Sequence, residues 1–437
     1  LRFLGKVLAL FTPFLIGGRR GVGNEAEQAE RACRRGTRKK TMEETAVTYH
    51  FDEIIDRRNT NSLKWDVEEK ELPMWVADMD FQTAPEIREA IEKRAAHGVF
   101  GYSIIPEEWQ QSYVDWWKLR HHFTMEKDWL IFCTGVIPAI SSTVRKLTTP
   151  AEKVVVMTPV YNIFFNSIYN NGRNVLENKL IYEEDGYHID FEDLEEKLSD
   201  PQTSLLIFCN PQNPGGKIWD RETIARVGEL CDKYHVLVIS DEIHCDLTDP
   251  GKEYVPYASV SEICRNQCIM CIAPTKTFNI AGMQTAAVAV PNPVIRHKVW
   301  RALNTDEVAE PNAFAVDVAV AAFTRGGNWL DELRSYIKEN KTTVIEYVKE
   351  QIPQLKVVPS DATYLLWLDC RGLGSSASQA AERIREATGL YLSAGEQFGK
   401  GGEDFLRMNI ACPRARVVEG LERLKKGVEI LCSARQK

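Results

Sequence analysis

After its first forty residues the chain has no apolar run approaching the ~20 residues that a bilayer-crossing helix needs, so no membrane role is expected of it. Basic charge is also in short supply. With 62 acidic against 54 basic side chains the formal net charge is −8, and the phosphate-neutralising face that nucleic acid requires is not expected. Small anionic metabolites bound locally remain compatible with that balance. A disulfide framework is missing too: the 11 cysteines are an odd number, and many sit in apolar runs such as Leu205–Cys209 and Cys268–Ile272. They read as reduced, buried thiols of a cytoplasmic protein. Cys264, Cys268 and Cys271 have a spacing that can hold an iron-sulfur cluster, but a buried strand accounts for Cys268 and Cys271 more simply, and no metal is expected. From Met42 onward there is neither an internal repeat nor a low-complexity tract.

The beginning of the chain differs from the rest. Val7–Ile16 is apolar and follows Arg2 and Lys6, as in a signal peptide, but no Ala-x-Ala site comes after it and the segment turns strongly basic from Arg31 to Lys40. Residues 1–46 are therefore expected to be an extension, disordered or non-native, with the first forty-one residues lying ahead of a natural start at Met42.

The chain has 437 residues, 44% of them apolar, enough for a large core and long enough that two domains are the default. Short apolar runs alternate with amphipathic stretches, which is an α/β pattern. Five runs end in polar or turn residues: Leu130–Cys133 before Thr134-Gly135, Val154–Met157 before Thr158–Tyr161, Leu205–Cys209 before Asn210–Asn213, Val236–Ile239 before Ser240–Glu242, and Cys268–Ile272 before Ala273–Lys276. Runs so short and apolar predict strands buried on both faces of a largely parallel sheet. Ligands of such sheets bind beyond the carboxyl ends of the strands, so five strand ends are expected to meet at one pocket. Pro85 and Gly98 bracket a helix over Glu86–Ala96, and Arg221–Tyr234 is a second helical stretch. After residue 325 a long helix, Trp329–Glu350, a strand, Tyr364–Leu368, and an amphipathic stretch from Arg416 suggest a second domain. The expected division is 82–324 for a large domain and 47–81 with 325–437 for a smaller one.

Several of these residues are of types that pyridoxal 5'-phosphate chemistry uses. Lys276, in a loop after a buried strand, offers an amine whose desolvation would make it a nucleophile. Asp241 directly follows a strand, as a solvated terminus or as the partner of a buried cation. Thr134-Gly135 opens a helix containing Pro138, whose first amides and dipole suit a phosphate. Asn213, in the turn Asn213-Pro-Gly-Gly216, is a donor, and Tyr161 is either core or a face for a flat ring. Arg407 lies inside the apolar run Phe405–Ile410, where it either snorkels outward or pairs with a carboxylate.

The strings Asn210-Pro-Gln-Asn-Pro-Gly-Gly216, Ser240-Asp-Glu-Ile-His244 and Ala273-Pro-Thr-Lys-Thr-Phe-Asn-Ile-Ala-Gly282 resemble class I/II aminotransferases. Phe51–Arg57, Trp65-Asp66, Trp75–Phe81, Gly98–Ser103 and Phe405–Arg414 resemble, more narrowly, the MalY/PatB branch of cystathionine β-lyase-type C-S lyases. The likeness runs in order from about Tyr49 to the end. It implies fold type I of the PLP-dependent transferases, with a large domain on a mostly parallel sheet and a smaller α+β domain. It also implies roles. Lys276 would be the Schiff-base lysine, Asp241 would face the pyridine nitrogen, Asn213 the phenolic oxygen, and Tyr161 the ring. Gly135, Val136 and Thr275 would hold the phosphate, with Tyr102 reaching it from the neighbouring subunit of a homodimer. Arg407 would bind the α-carboxylate of an amino-acid substrate. The reaction implied is α,β-elimination from a cysteine S-conjugate, with an aminotransferase or a non-catalytic regulatory protein as alternatives on the same fold. Two departures stand out: Gln284 occupies a position where many aminotransferases have arginine, and Thr275 replaces a common serine.

Overall fold

The computed structural model describes residues 49–435; the extension expected over 1–46 lies outside the described residues. A seven-stranded sheet is built from β1 (Leu130–Cys133), β2 (Lys153–Thr158), β3 (Asn174–Lys179), β4 (Thr203–Cys209), β5 (Leu237–Asp241), β6 (Cys268–Ile272) and β7 (Ala286–Ala289). Its spatial order is β1-β7-β6-β5-β4-β2-β3. Only β7 runs antiparallel to its neighbours; the other pairings are parallel. All five strands expected from the sequence are present, and two were not foreseen. Edge strand β3 has the polar sequence Asn-Val-Leu-Glu-Asn-Lys, while β7 is Ala-Ala-Val-Ala, a composition that favours helix until tertiary context overrides it.

The apolar runs are continuous because both faces of the sheet are covered. Val154, Val156, Leu205, Ile207, Ile239 and Ile269 pack in one cluster, and Val155, Met157, Leu206, Phe208, Val238 and Met270 in another. This is the two-residue alternation of a strand. At about 2 kcal/mol of transfer free energy for each buried aliphatic side chain, the platform beneath the strand ends is firmly held. The same alternation disposes of an iron-sulfur cluster. Cys268 and Cys271 belong to the two different clusters, so their thiols point to opposite faces, and every cysteine among the described residues is free.

Helix α1 (Pro85–His97) has Pro85 in its first turn and ends at Gly98 with φ 74°, a left-handed cap that glycine adopts without penalty. It is followed by α2 (Glu107–His121), α3 (Val136–Leu147) and α4 (Arg221–Lys233). The side chain of Asp220 accepts from the Thr223 amide and caps α4. Toward the C-terminus, α5 (Gly327–Gln351) and α6 (Arg414–Arg435) accompany a second sheet of β8 (Lys356–Val357), β9 (Leu365–Asp369), β10 (Ser393–Ala394) and β11 (Phe405–Asn409). That sheet is antiparallel throughout, in the order β8-β9-β11-β10. No helix among the described residues is long and apolar enough to cross a membrane.

The segment before α1 is strapped to this second sheet. Leu72–Pro73 pairs in parallel with Leu390–Tyr391, and the Asp80 amide donates to the Ala411 carbonyl at 2.8 Å. Buried Asp80 accepts from Arg57, Lys64 and the Trp65 indole, with Arg416 at 3.3 Å. Burial alone would push its carboxyl up, but Lys64, the indole N–H, Arg416 and Arg57 together hold it below the usual carboxylate range. Residues 75–81 are thereby fixed against β9 and β11.

Candidate active site

The five strand ends converge as expected. A cavity of about 200 Å³ is lined by Thr134 and Gly135 after β1, Tyr161 after β2, Cys209 and Asn213 at and after β4, Asp241 and His244 at and after β5, and Thr275 and Lys276 after β6. Ala77 of the strap completes the wall.

Lys276 is not in a loop, as the sequence suggested, but in a single helical turn, Pro274–Thr277. Pro274 presets the first residue of that turn, and the Phe278 amide closes it onto the Pro274 carbonyl at 2.9 Å. The lysine amine donates to the Ala77 carbonyl at 2.5 Å, an acceptor it shares with the Tyr364 hydroxyl at 3.1 Å. Burial is the main reason why its proton affinity falls to about 8. Asp78 and Asp241 pull the other way and Arg407 adds to the fall.

Asp241 ends β5 inside the sheet, 4% exposed. Burial raises its carboxyl to about 7, although the Ile243 amide, 3.2 Å from Oδ1, and Lys276 favour the ionised form. Its neighbour Glu242 is raised to about 8, again by burial. His244 stays neutral, lowered to about 3 by burial and by the charges of Lys276 and Arg407. Its Nδ1 is buried without a partner.

Arg407 lies in the middle of β11, 6% exposed. It does not snorkel. Nη1 donates to Asn213 Oδ1 at 3.1 Å and Nη2 to the Trp75 carbonyl at 2.9 Å, while Nε has no partner. Among the described residues no carboxylate pairs with it. Burial lowers its proton affinity to about 10, well above neutral pH, so it remains a buried cation in need of an anion.

Gly135 caps α3 in an extended conformation, φ 178°. A Cβ placed there would press on the Pro138 ring at 3.2 Å. The first-turn amides of Val136 and Ile137 have no intrahelical acceptor. Tyr102 does not enter the cavity of its own chain; it is fully exposed in the irregular stretch between α1 and α2.

Pyridoxal 5'-phosphate fits this donor set. The site holds an amine with depressed proton affinity, a carboxylate at a strand end, free amides at a helix start and an orphaned buried imidazole nitrogen. The sequence reading missed Ala77, His244 and Tyr364 as participants. His244 had a signal of its own, three residues beyond Asp241 in the same turn. The Ala77 carbonyl and Tyr364 had none, since only the strap and β9 bring them to Lys276.

Residues 70–424 match the family described as aminotransferase class I and II. The chain is 40% identical over 382 residues to Cystathionine beta-lyase PatB of Bacillus subtilis (strain 168), covering 86% of this chain and 99% of that protein. It is 31% identical over 381 residues to Protein MalY of Escherichia coli (strain K12), with coverages of 85% and 97%. Among solved structures it is similar to cystalysin from Treponema denticola, which contains a pyridoxal 5'-phosphate cofactor, with TM-score 0.85, 33% identity and coverages of 88% and 100%. The PLP-bound C-S lyase from Staphylococcus hominis gives TM-score 0.81 at 30% identity, covering 88% and 99%.

Proposed function

This chain belongs to the aminotransferase class I and II family, and on that premise we propose that it is a pyridoxal 5'-phosphate-dependent C-S β-lyase of the cystathionine β-lyase type. It would release a thiol, pyruvate and ammonia from L-cystathionine or a related cysteine S-conjugate. The likeness to the PatB and C-S lyase proteins supports the reaction. The observation that carries the chemistry is a cavity lined by an amine of depressed proton affinity and by Asn213, whose Oδ1 accepts from a buried arginine lacking an anion.

When bound, the cofactor supplies the electron sink that lets negative charge develop at the substrate Cα. The rest is the work of the chain's own side chains. Asp241 holds a proton at the pyridine nitrogen, Asn213 binds the phenolic oxygen, and Tyr161 covers the ring. The amides of Gly135 and Val136 and the Thr275 hydroxyl take the phosphate. Arg407 binds the α-carboxylate through its guanidinium, already oriented by Asn213 and the Trp75 carbonyl. Lys276 Nζ, within the cavity, takes the Cα proton. The Cβ–S bond then breaks with its electron pair leaving on sulfur, and water completes the conversion to pyruvate and ammonia.

Tyr102 would reach the phosphate from a second copy of the chain, making a homodimer with shared sites; its full exposure supports this. The division into 82–324 and 47–81 with 325–437 has the support of the two separate sheets. A cytoplasmic location has the support of the free, buried thiols. The test is release of pyruvate and thiol from L-cystathionine by the wild type and by Lys276→Ala. Loss of release in the variant is the expected result. Amino transfer to a 2-oxo acid without release would make the protein an aminotransferase, and failure to take up the cofactor would make it a non-catalytic relative.

A further inference from the structure

A second cleft, about 670 Å³, shares no lining residue with the cofactor cavity. It lies among the end of α2, the start of α4, the loop 245–259 and α5. Five permanent cations line it, Arg120, Arg221, Lys252, Arg265 and Arg334, in a chain whose formal net charge is −8. Its acidic liners are Asp246 and Glu253, and Asp246 is already committed. That carboxylate is hydrogen-bonded to His121 Nε2 and Trp116 Nε1, each at 2.9 Å, and to Thr277 Oγ1 at 3.0 Å.

The cations divide into two kinds. Arg120 is paired in bidentate fashion with Asp331 at 2.5 and 2.9 Å, and Lys252 with Asp361 at 2.9 Å. The other three are held by neutral oxygens. Arg334 donates to the Thr248 carbonyl and hydroxyl, both at 2.8 Å, and comes no nearer to a carboxylate than 3.6 Å, at Asp331. Arg221 donates to the Ser259 and Val260 carbonyls at 3.1 and 3.3 Å, and Arg265 to the Ala258 carbonyl at 3.4 Å. Neither forms an ion pair among the described residues. Burial first, and then the charge of Arg120, holds Arg334 below the usual guanidinium range against the pull of Asp331, Asp246 and Asp249.

Carbonyl-anchored guanidiniums are oriented in advance but not neutralised, and their planar forks match oxyanions. We propose that this cleft is a second ligand site, for a small multiply charged oxyanion bound by Arg221, Arg265 and Arg334. Phosphate-class and polycarboxylate ligands share this chemistry, and two probes separate them. The inference does not depend on the lyase reading.

The experiment is calorimetric titration of the full chain, loaded with pyridoxal 5'-phosphate so that the cofactor's own phosphate cradle is filled, in phosphate-free buffer of low salt. The probes are pyrophosphate and, separately, tricarballylate. The variant is Arg221→Ser with Arg265→Ser; both side chains are exposed and lie outside the cofactor cavity, so basal activity should be unchanged. The expected result is saturable binding of at least one probe, weakened on the order of tenfold or more in the double variant and also by added salt. Pyrophosphate alone would assign the phosphate class, and tricarballylate alone the polycarboxylates. No saturable binding of either probe, or binding unaltered in the double variant, would overturn the site.

Discussion

In the proposed role, Lys276 must lose its proton before it can bond the cofactor's aldehyde, and its surroundings set how that should depend on pH. An ordinary lysine near 10.5 is neutral in about one molecule in three thousand at pH 7. With the affinity lowered to about 8, the neutral fraction at pH 7 becomes roughly one in ten, a gain of roughly 300-fold. Mixing the cofactor-free protein with pyridoxal 5'-phosphate and following growth of the visible band should give a rate that rises about tenfold per pH unit and levels off above about pH 8. The useful window opens above about pH 6.5, where a phosphate monoester is chiefly the dianion. His244 stays neutral across this range and does not contribute to the slope, while Asp241, near 7, titrates within it. Two substitutions test the cause. Asp78→Asn removes the carboxylate that most strongly favours the charged amine, so the midpoint should fall, by on the order of one unit. Arg407→Gln removes a repelling cation, so the midpoint should rise. Opposite shifts in the two variants are the signature of charges acting on a buried amine. A midpoint near that of free lysine, or shifts of the same sign, would refute the reasoning.

Asp241 should cost the cofactor-free protein stability. Its folded proton affinity, about 7, lies above the ordinary 3.8, so the folded state holds more protons than the unfolded one across that interval. The stability is therefore fully present below about pH 4 and is lost as pH rises toward 7. Asp241→Asn should flatten this dependence in pH-resolved urea unfolding; an unchanged slope would mean that the carboxyl titrates normally. Asp249→Ala should strand Lys341, which is 1% exposed and 2.6 Å from that carboxylate. A loss of about 3 to 5 kcal/mol is expected, read as a fall in denaturant midpoint, and a loss below ~1 kcal/mol would show that water reaches the lysine. Gly228→Ala should destabilise α4, because its new Cβ would sit 2.4 Å from Cys264 Sγ. An overpacking cost of about 1 to 3 kcal/mol is expected, and Cys264→Ala should recover most of it; an additive pair would place the strain elsewhere.

The parts of the fold legible from sequence were those whose burial is uniform. Strands β1, β2, β4, β5 and β6 are covered on both faces, and each could be read as a plain apolar run. Edge strand β3 carries Asn174, Glu177 and Asn178, and β7 is mostly alanine, so neither has a periodicity or a composition that marks a strand. The site divides in the same way. Residues at strand ends, Asp241, Asn213 and Lys276, could be placed because strand direction fixes where they fall. Contributions from the strap and the second sheet could not, because they depend on register across more than 190 positions, as between Ala77 and Lys276. Arg407 was visible as an anomaly in an apolar run, but what keeps it from snorkelling, Asn213 Oδ1 and the Trp75 carbonyl, lies on segments that no apolar pattern brings to it.

The two lobes of the site make opposite demands on burial, and the strap reconciles them. In the proposed roles Lys276 has to be dry enough to give up its proton, whereas Arg407 has to keep its charge in equally dry surroundings. A guanidinium survives that because its intrinsic affinity is high enough to tolerate the fall to about 10, while the same burial takes an amine to about 8. Both cations are held by consecutive stretches of one backbone: the Trp75 carbonyl accepts from Arg407 and the Ala77 carbonyl from Lys276. Asn409 Nδ2 in turn grips the Val76 and Asp78 carbonyls, the latter at 2.6 Å. Asn409→Ala would release those two carbonyls without touching either cation. Carboxylate binding and amine position should then loosen together, with KM rising and the cofactor-capture rate falling in the same variant. A fall in the capture rate with KM unchanged would mean that Arg407 is positioned by Asn213 and not by the strap.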